Sequence, residues 1–135
     1  FKNYRLRLVF SDVNIPKFIY SDDFKDWNSK AVAIICDYFW NPQKNLLSGP
    51  WVGFGLEHWD NEIVEKSSGA KASFEQEVLT VGGGYVYYLS KNCFINPWVA
   101  AHLRLNGDSE ILVGSKTFEN KPLQFEASLK FGWKF

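Results

Sequence analysis

The sequence has only two cysteines and no long apolar run, and each shortage excludes a class of structure. Cys36 and Cys93 are too few for a disulfide framework or a zinc cluster, so we expect two free thiols. No segment approaches the roughly 18 apolar residues of a transmembrane helix, which leaves transmembrane β-strands open. The 15 basic residues balance the 15 acidic ones, so no basic excess indicates nucleic-acid binding.

Catalytic and phosphate-binding motifs are also missing from the sequence. There is no G-x-S-x-G and no H-E-x-x-H, and Gly82-Gly83-Gly84 lacks the lysine and the following helix of a phosphate loop. The chain opens with Phe1 and carries no apolar signal segment, so we expect a processed or trimmed chain. With 135 residues, no internal repeat and no linker, we expect one domain over residues 1–135.

The sequence is rich in aromatic residues, at 18% of the chain, and its last segment alternates strictly. In residues 123–135 the apolar and the polar side chains fall on opposite faces of a β-strand, because strand side chains alternate with period 2. The apolar face holds Leu123, Phe125, Ala127, Leu129, Phe131, Trp133 and Phe135. The polar face includes Glu126 and Lys130.

The ending F-G-W-K-F resembles the last strand of Gram-negative outer-membrane β-barrels, which closes on an aromatic residue. The resemblance implies that Phe131, Trp133 and Phe135 belong to an assembly signal read by the barrel assembly machinery. It also implies location in the bacterial outer membrane, with outer-membrane lipid as a partner.

Period-2 patterns predict seven strands along the chain. They cover residues 4–10, 31–40, 51–60, 71–89, 94–105, 110–118 and 123–135. Residues 11–30 contain Pro16 and a Ser, Asp and Asn cluster, which indicate a loop with either a short strand at 17–20 or a helical turn from Ser21. An antiparallel barrel needs an even number of strands, so the eighth lies within residues 11–30 or preceded Phe1 and has been lost. The expected fold is all-β, an antiparallel up-and-down barrel with eight strands that is transmembrane.

The charged side chains on the inward faces are expected to form a polar network in the lumen of this barrel. Its members are Arg5, Arg7, Asp37, Glu57, His102, Arg104, Glu126 and Lys130. On the outer face each Arg or Lys at mid-bilayer would cost about 2–4 kcal/mol, whereas inside a narrow barrel the charges pair. If the first strand pairs with the last, Arg5 and Arg7 face Glu126. We assign no catalytic residue, no metal and no cofactor.

Residues 49–60, G-P-W-V-G-F-G-L-E-H-W-D, look like a strand of the lipid A palmitoyltransferase barrels. That family's catalytic Asp-Ser pair is expected on the next strand, where this chain has Ala72-Ser73-Phe74-Glu75, and the expected early histidine is missing. The resemblance therefore supports the fold rather than that activity.

Three functional interpretations follow from these patterns. The favoured one is a non-enzymatic outer-membrane barrel with a charged, filled lumen and a structural, adhesion or small-solute or lipid-binding role. The alternatives are a barrel enzyme that modifies lipid or lipopolysaccharide, and a soluble calycin-like barrel that binds an apolar ligand. The membrane interpretations place Leu123, Phe125, Leu129, Phe131 and Trp133 outward, whereas a soluble barrel places such side chains inward.

Overall fold

Six long antiparallel strands follow one another in one curled sheet. The computed structural model describes residues 3–40, 42 and 47–133. The strands of the sheet are β1 (Tyr4–Asn14), β2 (Phe24–Phe39), β3 (Gly49–Glu65), β4 (Lys71–Tyr88), β5 (Cys93–Asn106) and β8 (Leu123–Trp133), in the order β1-β2-β3-β4-β5-β8. A second sheet pairs β6 (Glu110–Val113) with β7 (Lys116–Glu119). The all-β antiparallel prediction is confirmed. Among the described residues, no helix has the length and apolar character needed to cross a membrane.

The predicted strand at residues 110–118 is wrong, because this segment folds back on itself as the hairpin β6–β7. The turn lies at Gly114, whose φ of 62° belongs to the left-handed region that favours glycine. The hairpin joins no strand of the six-stranded sheet, and β5 pairs directly with β8 instead. The two strands that residues 106–122 connect are therefore sheet neighbours, and the hairpin stands beside them.

Residues 11–30 are mostly strand rather than the predicted loop. β1 continues to Asn14 and β2 already begins at Phe24, so only the segment around the 3-10 turn Lys17–Ile19 connects them. Pro16 sits at the start of that turn, outside both strands. The polar residues that suggested a loop, such as Asp12 and Asn28, lie on strand faces open to solvent.

Other predicted strand boundaries agree better with the structure. Residues 71–88 form one strand through Gly82-Gly83-Gly84, as predicted for a kinked rather than interrupted segment. β3 extends to Glu65, further than predicted, and both cysteines are free. Half of the predicted turn at 41–50 lies outside the described residues, and its last two residues, 49 and 50, already belong to β3.

The sheet ends at two edges, β1 and β8, so the predicted closed barrel of eight strands does not appear in the described residues. β1 pairs with β2 alone and β8 with β5 alone. The expected ladder between the first and last strands is absent over residues 3–40, 42 and 47–133. Arg5 and Arg7 consequently do not face Glu126 across a seam.

One face of the sheet is apolar and exposed. We call this surface the apolar band. It consists of Tyr4, Leu6, Leu8, Phe10, Val32, Ile34, Val52, Phe54, Leu56, Val81, Tyr85, Tyr87, Val99, Leu103, Leu105, Leu123, Phe125, Leu129, Phe131 and Trp133. Leu6 is 74% exposed and Phe125 76%. Along β8 every outward position is uncharged, whereas Glu126 and Lys130 point to the concave side.

The outward face of the strands becomes polar beyond one end of the apolar band. We call this part of the sheet the polar extension. Its outward positions include Asp12, Asn14, Asn28, Lys30, His58, Asp60, Glu62, Ser73, Glu75 and Glu77. Its inward residues pack with the β6–β7 hairpin into an apolar core of Phe24, Trp27, Ile63, Phe74, Ile111, Val113 and Phe118. The extension lies at the end of the sheet opposite Tyr4 and Trp133, as the β1–β2 and β5–β8 registers require.

Candidate functional site

The concave face inside the apolar band carries a charged cluster centred on Asp37. The Asp37 side chain is fully buried and accepts from the Nε atoms of Arg5 at 2.8 Å and Arg7 at 2.7 Å. Arg7 also donates through Nη2 to Asp37 Oδ1 at 2.9 Å, which makes that pair bidentate. The register of β1 against β2 produces this arrangement, since Arg5 lies opposite Asp37 and Arg7 two residues further along.

Aromatic rings surround the two guanidinium groups. Arg7 lies 5.3 Å from the Trp51 ring centroid and 5.7 Å from that of Trp98, and the two indoles stack at 6.0 Å. The Lys130 ammonium sits 4.0 Å from the Trp98 centroid. Cations over indole faces gain electrostatic attraction that grows when the site is desolvated. We call Arg5, Arg7, Asp37, Trp51, Trp98 and Lys130 the arginine–aromatic cluster.

A second inward group, the histidine network, joins Glu57, Thr80, His102 and Glu126. Thr80 Oγ1 lies 2.5 Å from Glu57 Oε1 and 2.7 Å from His102 Nδ1, and His102 Nε2 lies 3.3 Å from Glu126 Oε2. Thr80 Oγ1 donates to the Glu57 carboxylate, and the same oxygen is within hydrogen-bond distance of His102 Nδ1. Trp59 Nε1 donates to the other Glu57 oxygen at 2.6 Å.

The order hydroxyl, imidazole, carboxylate in this network is that of a nucleophilic triad, yet the structure gives it no access to substrate. Thr80 is 1% exposed, and its proton is already donated to Glu57. A nucleophile needs a free hydroxyl proton to pass to its base and space for the attacked atom. The histidine network is therefore a satisfied hydrogen-bond chain inside the sheet.

Glu65 holds the β6–β7 hairpin onto the polar extension. Its carboxylate accepts from the hydroxyls of Ser67 and Ser68 in the β3–β4 turn and from Ser115 Oγ at 2.9 Å in the hairpin turn. The hydroxyls of Ser68 and Ser67 lower the pKa of Glu65 from 4.5 to about 2. Arg104 braces the base of the same hairpin by donating to the carbonyls of Asp108 and Asn120.

The outer face of the polar extension carries one group with metal-ligating side chains. Donor atoms of His58, Asp60 and Glu75 all lie within 4.8 Å of one another. His58 Nδ1 is 2.7 Å from Glu77, and this hydrogen bond raises the pKa of His58. His58 pairs with Asp60 and with Glu77, and all these side chains are at least partly exposed, as expected of a solvated strand surface.

A cleft of about 360 Å³ lies between the 3-10 turn and β7. Tyr20, Phe24, Trp27 and Phe118 form its apolar wall, and Lys121 lies at its polar rim. The cleft has room for a small solute but brings no cluster of catalytic groups together.

The residues predicted to form one lumen network lie in three separate places in the structure. Arg5, Arg7, Asp37 and Lys130 lie in the arginine–aromatic cluster, and Glu57, His102 and Glu126 lie in the histidine network. Arg104 joins neither, because it serves the hairpin base. Of the predicted assembly signal, Phe131 and Trp133 are exposed on the apolar band, and Phe135 lies outside the described residues.

Sequence reasoning missed the neutral partners of these charges. Thr80, Asn96, Trp51 and Trp98 all occupy inward positions of the alternating strands, so the pattern is sufficient to place them. The predicted lumen network contains only the charged residues of those positions, although Trp51 Nε1 donates to Asn96 at 2.9 Å in the same interior.

Comparison with known proteins identifies no relative of this chain: no family model, no curated protein and no solved structure matches it.

Proposed function

We propose that this chain forms the wall of a non-enzymatic β-barrel of the bacterial outer membrane, with an interior filled by charged and aromatic side chains. Its role is structural: the apolar band anchors the protein in outer-membrane lipid and carries the polar extension on the side opposite Tyr4 and Trp133. The observation that carries the proposal is the polarity of the sheet, apolar outside and charged inside.

The apolar band has the energetics that a lipid-facing surface requires. Large side chains such as Phe125 at 76% exposure and Phe131 at 73% would face water in a soluble protein. Monomeric soluble proteins rarely expose apolar patches beyond a few hundred Å². A single Arg or Lys at mid-bilayer would cost about 2–4 kcal/mol, and β8 carries its lysine and glutamate on the concave side.

The dimensions of the band also fit a bilayer. β8 has 11 residues, which at about 3.3 Å each extend about 36 Å. A tilt of about 45° reduces that length to about 26 Å along the membrane normal, close to the apolar height of about 25 Å in outer-membrane barrels.

The polar extension supports the same placement, because its polarity is that of a protein in water. Within β3, outward positions change from Val52, Phe54 and Leu56 to His58 and Asp60. The inward positions stay buried throughout, from Trp51 and Glu57 to Ile63 and Glu65. One strand thus meets the requirements of two solvents along its length.

The two alternative functions have less support. A soluble calycin-like barrel would bury Phe125, Leu129 and Phe131, which are all exposed. A lipid-modifying enzyme would need an accessible nucleophile, whereas Thr80 is buried and bonded to Glu57.

The test is site-directed spin labelling of the protein in vesicles, after extraction from membranes that requires detergent. Labels at Phe125 and Leu129 should relax with oxygen and be shielded from a water-soluble quencher. Labels at Ser73 and Glu75, on the same outer face but in the polar extension, should show the opposite ranking. Equal access of the water-soluble quencher at all four positions, or extraction without detergent, would exclude the membrane function.

A further inference from the structure

The two edges of the six-stranded sheet are open in the described part of the chain. β1 and β8, with 11 residues each, pair on one side only. Each edge therefore presents a row of backbone N–H and C=O groups to whatever lies beside it. In hydrocarbon such groups have no water to bond, so spanning sheets are closed.

The curvature of the sheet indicates how wide the opening between these edges is. Arg7 on β1 lies 5.7 Å from the ring centroid of Trp98 on β5, and the two strands are four places apart in the sheet. In a flat sheet, four spacings of about 4.8 Å would separate these strands by about 19 Å. Contact across the concave side requires the curvature of a small barrel. In an eight-stranded barrel the first and fifth strands lie opposite each other across an interior that side chains fill.

Strand direction limits the number of strands that fit the opening. All pairings in the sheet are antiparallel, so β1 and β8 run in opposite directions. An antiparallel closure then needs an even number of added strands. Two added strands make eight, the number that the curvature favours.

On the inward faces of the two edge strands, the cations Arg5, Arg7 and Lys130 outnumber the carboxylate of Glu126, which pairs with His102. Arg5 and Arg7 share the single carboxylate of Asp37. Lys130 on β8 contacts the Trp98 ring, and no carboxylate of the described residues lies within 4.0 Å of its ammonium. A partner in the opening would therefore be favoured if it brought a carboxylate to the concave side.

We propose that a two-stranded antiparallel β-hairpin from outside residues 3–133 pairs with both β1 and β8 and closes the sheet as an eight-stranded barrel. Its outer face is apolar and continues the apolar band, and its inner face presents at least one Asp or Glu to Arg5, Arg7 and Lys130. A second copy of the sheet is not the partner, because twelve strands would form a barrel too wide for Arg7 to reach Trp98. The inference rests in part on the proposed function, since lipid makes an open edge untenable.

The first measurement is amide hydrogen exchange on the protein as assembled in cells and extracted in detergent. The amides of β1 and β8 should be protected to the same degree as those of the central strands β3 and β4. Rapid exchange of alternate amides along β1 and β8 would show open edges and overturn the proposal.

The second measurement identifies what protects the edges. In a C36S/C93S background, Leu8→Cys is combined in turn with Leu123→Cys, Phe125→Cys, Leu129→Cys and Phe131→Cys, and treated with a bifunctional thiol reagent whose spacer is about 8 Å. The control pair is Leu8→Cys with Ile34→Cys, which are partners in the β1–β2 ladder and should be linked. An inserted hairpin holds the edges about 14 Å apart, so no edge pair should be linked.

Linkage of an edge pair within one molecule would mean that β1 and β8 pair directly, and linkage between molecules would mean a second copy. Either result overturns the hairpin. The proposed function can fail separately. A protein that needs detergent but has open edges would contradict only the hairpin proposal. A protein that is soluble with protected edges would contradict only the membrane placement.

Discussion

Gly53 lies directly opposite Asp37 in the β2–β3 ladder, and a Cβ at Gly53 would collide with Asp37 Oδ1. The glycine therefore provides the space in which the carboxylate meets Arg5 and Arg7. We expect Gly53→Ala to displace Asp37 and to lower the free energy of unfolding measured by urea titration in detergent. In an Asp37→Ala background the same change should cost less, because the collision is gone. Fully additive losses would show that the two residues act independently.

Asp37→Asn should destabilise the protein by about 3–5 kcal/mol, because it leaves two guanidinium groups of the interior without their carboxylate. The control is Asp22→Asn, an exposed turn residue, which should change the unfolding free energy by less than about 0.5 kcal/mol. A loss at Asp37 no larger than that of the control would mean that water or other anions compensate the arginines.

Acid should release the β6–β7 hairpin through Glu65. Because folding lowers the pKa of this carboxyl from 4.5 to about 2, its stabilising effect is complete above pH 4.5 and is lost as the pH falls toward 2. As the pH falls through that interval, the amides of residues 110–119 should lose their protection against hydrogen exchange. Glu65→Gln should accelerate exchange already at neutral pH and remove this pH dependence, whereas Glu110→Gln, on an exposed position of β6, should leave it intact. An unchanged profile in Glu65→Gln would contradict this role.

Thr80→Val should cost about 1–3 kcal/mol, because the isosteric valine leaves Glu57 Oε1 without its Thr80 donor and His102 Nδ1 without its hydrogen-bond partner in a buried site. Thr117→Val, on an exposed position of β7, is the matched control and should be nearly neutral. Equal effects of the two substitutions in thermal unfolding would argue that a water replaces the hydroxyl.

Deletion of Phe135 should reduce assembly more than stability. From the likeness of F-G-W-K-F to the last strand of outer-membrane barrels, we predict that Phe135 belongs to a signal read by the assembly machinery. The amount of protein inserted in cells should fall, while refolding into detergent micelles stays largely intact. A parallel loss in both assays would indicate a packing role for this side chain.

The strands can be predicted from the sequence wherever a strand face meets the same solvent along its whole length. Residues 123–133 alternate without interruption, and β8 occupies that range. The alternation by itself separates Phe125 and Leu129 from Glu126 and Lys130. It does not determine which face meets the concave side, because period 2 is the same for a barrel in water and one in lipid.

The part of the polar extension formed by residues 11–14 and 24–30 was wrongly predicted as a loop, because its outward face meets water. Asp12 and Asn28 belong to strands whose outward face meets water, so polar residues stand where the neighbouring band has leucine or valine. Where the outward face of a strand passes from lipid to water, its residues become polar, and in the sequence this looks like the start of a loop. Only the pairing of β1 with β2 shows that these polar residues continue the strands and do not form a loop.

The partners of the interior charges were decided by tertiary structure alone. Sequence alternation assigns Arg7, Asp37 and Glu126 each to one of the two faces of its strand, since that depends on each strand separately. Whether Arg7 meets Asp37 or Glu126 depends on which strands are neighbours and in what register, and backbone ladders between distant segments set both. Local sequence determines the face of a side chain, and the assembled sheet determines its partner.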